Sequence, residues 1–319
     1  MKKKPLLITI DTEGDNIWNH VIGQTITTEN TKYLVRFQNL CDKYGFKPTY
    51  LINYEMANDA LFVEFIKKLL KTNRCEVGMH LHAWNNPPIF DLQKRDDGIE
   101  VGLPYITEYP ENVIRQKVSS ITKLIEEKFG ARPVTHRAGR WATNEIYARI
   151  LEEYGYKYDC SFTPGLSWRT SSGYTDGVFG NDYTSLKNEI SYFYNSSIIE
   201  IPLQSYKNKR LKKENIKSLK SFVKNVLYAA KRQQHINLRP NGNNLNDLLY
   251  IVNKNRKSKQ KYLMFMLHSS EFMPGGSPTF DNDKKIEMLF DDLEKLFSCI
   301  SKYFYGSTIC EFGESVKLK

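Results

Sequence analysis

Leu6-Leu7-Ile8-Thr9-Ile10-Asp11-Thr12-Glu13-Gly14-Asp15 is the stretch that decides the fold. Its first half is a short apolar run, the pattern of a parallel strand covered by helices on both faces. Its second half is acidic. A doubly wound nucleotide fold places a glycine-rich phosphate loop after its first strand, and here carboxylates stand where those glycines belong. The stretch therefore favours a barrel over an open nucleotide-binding sheet. Alternate residues of an extended chain point the same way, so Asp11, Glu13 and Asp15 share a face if the extension persists. Carboxylates at one strand end can divide two tasks, metal ligand and general base. A solvated acidic turn is the plainer reading of the same residues.

Similar apolar runs recur at Pro48–Ile52, Glu76–His82, Pro133–Ala138, Tyr156–Ser161, Ile198–Leu203, Tyr262–His268 and Thr308–Phe312. Helical spacing fills Thr31–Tyr44, Ala60–Lys71, Pro110–Phe129, Asn144–Tyr154 and Asp283–Tyr303. Strand and helix in alternation predict parallel strands joined by helical crossovers. Two stretches break the rhythm: Trp84–Glu108, a loop rich in Asn, Pro and Asp, and Ser205–Lys261, which inserts at least one further helix. Long loops at the carboxyl ends of barrel strands are where substrate is usually gripped.

The 319 residues allow two small domains or one barrel, and the 40% apolar share supports a sizeable core. The five cysteines are odd in number and scattered, which argues against a disulfide framework and for reduced thiols in the cytoplasm. The basic start Met1-Lys2-Lys3-Lys4 leads into an apolar run too short for an export signal. The net charge of +10 is local: Ser205 to Pro240 holds eleven basic residues and the single acid Glu214. Within it Ile216, Leu219, Val223, Val226, Leu227 and Ala230 form an apolar stripe. Such a helix either lies on an anionic membrane surface or packs its stripe on the barrel. Nucleic-acid binding is not expected, since no recognised reading module accompanies the lysines.

Four more polar clusters end predicted strands. His80-Leu81-His82 places two of the six histidines on one face of a strand, the geometry a metal needs. His136-Arg137-Ala138-Gly139-Arg140-Trp141 offers a guanidinium that can hold a carboxylate ionised. Its small Ala138 and Gly139 predict tight backbone packing. Asp159-Cys160-Ser161 offers Asp159 to orient a neighbour, with Phe162 or Trp168 beyond it to stack on a sugar. His268-Ser269-Ser270-Glu271 supplies a histidine placed to act as a general acid.

In this order the five clusters resemble the motifs of the polysaccharide deacetylase family, the NodB-homology or carbohydrate esterase family 4 group. Asp-Thr-Glu-Gly-Asp, His-Leu-His-Ala-Trp-Asn-Asn-Pro-Pro, Arg-Ala-Gly-Arg-Trp and His-Ser-Ser-Glu-Phe-Met-Pro-Gly-Gly-Ser-Pro most resemble its WalW-like branch. The resemblance spans Leu6 to about Phe280. It implies an α/β fold, a distorted (β/α)7-type barrel forming a single domain over 1–319, with a basic helical insertion at 205–261. It further implies a divalent metal ion, zinc by preference, and hydrolysis of an N-acetyl group on an amino sugar or glycan precursor.

By position, Asp11 matches the family's catalytic base, His268 its general acid, Arg137 the arginine that tethers the base and His80 the first metal histidine. The expected metal ligands are Glu13, His80 and His82, and Trp84, Arg140, Trp141 and Asp159 are expected to bind substrate. The chain departs from the family where Asp11-Thr12-Glu13 replaces adjacent aspartates, so the metal carboxylate is Glu13 or Asp11. Its histidines lie two apart instead of four, and Ala138-Gly139 replaces Pro-Pro. A deformylase or glycoside hydrolase on a related barrel, and a non-catalytic glycan-binding relative, are the alternative readings.

Overall fold

The computed structural model describes residues 3–19, 25–90, 93–94, 100–169, 171–208 and 234–318. Strands β1 (Lys4–Thr12), β2 (Pro48–Ile52) and β3 (Glu76–Leu81) alternate with helices α1 (Leu34–Lys43), α2 (Tyr54–Asn58) and α3 (Ala60–Lys71). A small hairpin, β4 (Gln93–Lys94) and β5 (Glu100–Val101), precedes α4 (Glu111–Phe129). Then follow β6 (Thr135–Ala138), α5 (Glu145–Glu153), β7 (Tyr158–Asp159), β8 (Ser191–Tyr192) and β9 (Ile199–Glu200). The hairpin β10 (Ser205–Asn208) and β11 (Gln234–Asn237) leads through α6 (Leu245–Lys257) to β12 (Leu263–His268), α7 (Asp283–Ser301), β13 (Phe304–Ser307) and α8 (Ile309–Glu314).

The main sheet runs β12-β1-β2-β3-β6-β7-β9-β8, with β13 also pairing β1. All of these pairs are parallel except β8 with β9. The sheet curls into a partial barrel, as the distorted-barrel expectation has it. Side-chain alternation then sorts the strands into two cores. Leu6, Ile8, Ile10, Met79, Leu263, Phe265 and Leu267 face outward into the larger core with the helices. Leu7, Leu51, Tyr158, Cys160, Ile201, Met264 and Met266 face inward, where Ile309 and Phe312 of α8 plug one end.

One expected strand is corrected. Thr308–Phe312 is not a strand, because Thr308 opens α8 with a capping box: its Oγ1 accepts from Glu311 N–H at 3.2 Å, and Glu311 accepts from Thr308 N–H at 3.1 Å. The strand is Phe304–Ser307, just upstream. The helix expected within Ser205–Lys261 is α6. The amphipathic stripe from Ile216 to Ala230 lies outside the described residues. No helix among the described residues is long and apolar enough to cross a membrane.

Candidate metal centre and cleft

Parallel register places the polar strand ends side by side. Asp11 pairs with His268, and His80 with Arg137. The inward parity of Leu7 and Thr9 continues through Asp11 to Glu13, and that of Gly78 through His80 to His82. The six residues Asp11, Glu13, His80, His82, Arg137 and His268 therefore converge at the carboxyl end of the sheet's concave face. All but Arg137 line a cleft of about 540 Å³.

At its floor Glu13, His80 and His82, all buried, form the one group of potential metal ligands among the described residues, with ligand atoms within 4.8 Å of one another. Glu13 Oε2 lies 3.1 Å from His82 Nε2 and 3.6 Å from His80 Nε2, and the two imidazole nitrogens are 2.9 Å apart. His80 Nδ1 lies 2.9 Å from the carbonyl oxygen of Arg137. A carbonyl only accepts, so Nδ1 carries a proton, and Nε2 is the His80 nitrogen that faces the cluster. Burial opposes charge on His80, but Asp11 and Glu13 outweigh it and raise its pKa. On His82 burial prevails and lowers it. Burial also pushes the Glu13 carboxyl up, yet His268, His80 and His82 together hold it well below the ordinary carboxylate range.

Asp11 stands beside this group and answers to a different partner. Arg137 Nη1 donates to Asp11 Oδ1 at 2.5 Å, while the same fully buried guanidinium donates to Thr9 Oγ1 at 3.0 Å and the Cys160 carbonyl at 2.9 Å. Burial raises the Asp11 pKa, and Arg137, with help from His80 and His268, overturns that and lowers it. Asp11 Oδ2 is 3.9 Å from both His80 Nε2 and His268 Nε2. His268 closes the other side: its Nε2 is 3.8 Å from Glu13 Oε1, while its Nδ1 meets Glu271 Oε2 at 3.0 Å.

The aromatic residues expected at the substrate site line the same cleft. Trp84 stacks on His82 with ring centroids 4.4 Å apart, and Trp141 stacks on Trp168 at 5.7 Å and 11°. Arg140 lies over the rings of Trp84 and Tyr105. Gly139 has a steric reason to be glycine: a Cβ there would come within 2.5 Å of both His82 Cδ2 and the Leu81 carbonyl.

Two expected members stand elsewhere. Asp159 does not reach the cleft, because its register partners are His136 and Glu200, so it shares the outward face with them and not the inward face of Arg137. It is fully buried, bonded to His136 Nδ1 and to the backbone N–H and hydroxyl of Ser161. It orients neighbours, and its expected contact with substrate is withdrawn. Asp15 turns instead to Thr27 Oγ1 and the Asn30 N–H and ties down the following loop.

Some positioning residues carried no signal of their own in the sequence. Asn30 Nδ2 donates to the Glu13 carbonyl at 2.8 Å and to Ser269 Oγ at 2.9 Å, and the Ser269 hydroxyl bridges the Glu13 backbone. Buried Lys117 donates to the carbonyls of Asn86 and Pro88 and so clamps the loop after Trp84. The apolar spacing of α4 foretold its helix, but nothing foretold that Lys117 would turn inward.

No protein-family model matches the chain, and no curated protein matches it. Solved structures do. A protein from Mycobacterium smegmatis described as a putative polysaccharide deacetylase aligns at 12% identity and a TM-score of 0.51, over 99% of this chain and 91% of its own. A GH57 branching enzyme from Thermococcus kodakaraensis aligns at 12% identity and 0.56, over 100% of this chain and 72% of its own. A 4-alpha-glucanotransferase from Thermococcus litoralis aligns at 10% and 0.54, over 99% of this chain but only 41% of its own. At such identities the likeness is one of fold, and fold does not fix function. The chain thus has the curled parallel-sheet fold that a polysaccharide deacetylase shares with α-glucan-acting enzymes.

Proposed function

We propose that the chain is a metal-dependent hydrolase of the carbohydrate-deacetylase type, removing an N-acetyl group from an amino sugar or glycan precursor. The observation that carries this is the convergence of Glu13, His80 and His82 at the floor of an aromatic-walled cleft, with Asp11 and His268 beside them. The donor set fits a divalent ion. Two imidazoles and a carboxylate match a catalytic zinc site that keeps one position open, and the Nδ1 bond of His80 to the Arg137 carbonyl leaves Nε2 as the nitrogen facing the site. Glu13 is assigned as the metal carboxylate over Asp11, because Glu13 contacts both imidazoles while Asp11 is committed to Arg137.

A divalent ion held by Glu13, His80 and His82 would supply Lewis acidity, lowering the pKa of a water towards about 7 and polarising an acyl carbonyl. Asp11, kept ionised by Arg137, takes a proton from the attacking water. His268, its Nδ1 held by Glu271, delivers a proton from Nε2 to the amide nitrogen as the C–N bond breaks. The water oxygen stays on the acyl carbon, and the products are a carboxylate and an amine. Trp84, Arg140 and Trp141 hold the sugar.

The glucan-acting neighbours raise a glycosidase reading, which the geometry disfavours. Glycosidases set two carboxyl groups on either side of the scissile bond. Among the described residues the two cleft carboxylates leave one strand end, two residues apart, and both are engaged by cationic or imidazole partners. Metal analysis with acetate release from N-acetyl chitooligosaccharides tests the proposal, and formate release from N-formyl sugars identifies a deformylase. The expected result is bound zinc and acetate release, both lost in His80→Ala. A His80→Ala protein that keeps its metal and its rate overturns the assignment.

The reading includes a cytoplasmic location, in keeping with five free cysteines. The basic insertion has two alternatives, packing of its apolar stripe on the barrel and attachment of 205–240 to an anionic membrane. Flotation with anionic liposomes that shows no binding dependent on the basic residues from Lys213 to Arg232 removes the membrane alternative.

A further inference from the structure

Arg140 is held in the cleft in an unusual way. It and Trp141 are consecutive non-glycine residues in the left-handed region, with φ of 55° and 58°. A non-glycine residue there is strained, and such strain clusters where function needs a side chain placed. The strained turn sets Arg140 and Trp141 together on the cleft wall. The guanidinium lies 5.1 Å from the Trp84 ring centroid and 5.9 Å from that of Tyr105. It is exposed, and among the described residues it forms no ion pair with a carboxylate.

The other strong charges that line the cleft among the described residues have partners. Asp11 is answered by Arg137, and Glu13 by two imidazoles. Arg239 is answered by Glu271, with both carboxylate oxygens 3.2 Å from its Nη2. A divalent ion on Glu13, His80 and His82 adds further positive charge. Among the described residues of the cleft, the exposed Arg140 is the guanidinium without a carboxylate partner, flanked by two rings on the wall that carries the stacked Trp141 and Trp168. A guanidinium fork fits the paired oxygens of a carboxylate or a phosphate.

We propose that Arg140 reads an anionic substituent, carboxylate or phosphate, on the glycan, so that the preferred substrates are acidic N-acyl sugars. The inference rests on the deacylase reading of the same cleft. A sugar face stacked on Trp141 and Trp168 brings its acidic group to Arg140, while its N-acyl group extends toward Glu13 and the histidines.

The test compares three N-acetyl probes: neutral chitotriose, a uronate-containing N-acetyl disaccharide, and N-acetylglucosamine 1-phosphate. Each is measured for kcat/KM and, independently, for binding by quenching of tryptophan fluorescence, in the wild type, Arg140→Met and Arg140→Lys. The wild type is expected to favour an acidic probe over the neutral one by roughly 10- to 100-fold, the scale of one charge-assisted contact. Arg140→Met collapses that ratio to near one, mainly through KM, and Arg140→Lys retains part of it. Whichever acidic probe is favoured identifies the anion.

Equal handling of acidic and neutral probes by the wild type overturns the proposal, as does a ratio that Arg140→Met leaves unchanged. If no probe is turned over, the deacylase reading fails, and the binding ratio still decides for or against Arg140 on its own.

Discussion

His136 and Arg137 are neighbours on β6, and the pleat sends them to opposite faces of one sheet. Arg137 goes inward to Asp11 and borders the cluster of Glu13, His80, His82 and His268. His136 goes outward beneath α5, with Nδ1 on Asp159, Nε2 within 2.9 Å of the Tyr147 hydroxyl, and Glu200 beside Asp159. The residue types are the same, and the two groups differ in openness and in charge. The inner cluster opens on a cleft, and its carboxylates are held ionised. The outer network is sealed, and there burial and the neighbouring Asp159 push the Glu200 carboxyl well above its ordinary range. Buried histidine–carboxylate contacts therefore do not mark a site by themselves. A cleft and convergent lone pairs do.

The largest expected effect lies on the inner side. His268→Ala should lower kcat by about 10²- to 10⁴-fold, the usual contribution of a proton-transfer group, and leave bound metal in place. On the outer side, His136→Ala removes the imidazole hydrogen-bonded to buried Asp159, a change that typically costs about 1.5–3 kcal/mol. Denaturant unfolding should show that loss while metal stoichiometry in the folded fraction stays whole. If His136→Ala empties the metal site of a folded protein, the two regions are one and the comparison breaks.

Gly139→Ala probes the junction between them. The added methyl meets His82, and the expected result is a drop in zinc affinity of roughly 10- to 100-fold, typical of disturbing a ligand's support, read by competition with a chelator. Unchanged affinity would show that the His82 ring is free to move aside.

The smallest effect is in the pH dependence of stability, where the two regions take opposite signs. Glu200 has a raised pKa, so its contribution is complete below the ordinary 4.5 and drains away as pH rises through the folded value. Glu13 has a lowered pKa, so its contribution is complete above 4.5 and is lost as pH falls through the folded value. Glu200→Gln keeps the neutral form, and its stability should decline less than that of the wild type as pH rises above the ordinary carboxylate range. Parallel declines would mean that Glu200 is not the neutral partner.

Much of this was legible along the chain. The acidic end of β1, the His80-Leu81-His82 spacing and Arg137 each announced themselves through residue type and two-residue periodicity. The tight packing read from Ala138 and Gly139 appears as the approach of Gly139 to His82. Thr308–Phe312 was misread because its β-branched start obscured a Thr-x-x-Glu capping box. Asp159 was misassigned because a short strand of two residues gives no periodicity from which to choose a face. Asn30 and Lys117 gave no signal, since they act on backbone atoms far away in sequence.

The acidic turn Asp11–Asp15 therefore determined, by sequence alone, that this is no nucleotide sheet and that carboxylates stand at a strand end. Periodicity is local, so a single strand could say which residues share a face. It could not say which of Asp11 and Glu13 would meet the histidines. Register across four separate strands decided that, by setting Arg137 against Asp11 and leaving Glu13 between His80 and His82. The left-handed turn at Arg140 and Trp141 was likewise invisible in the residues, because its strain is sustained only by the packing around it.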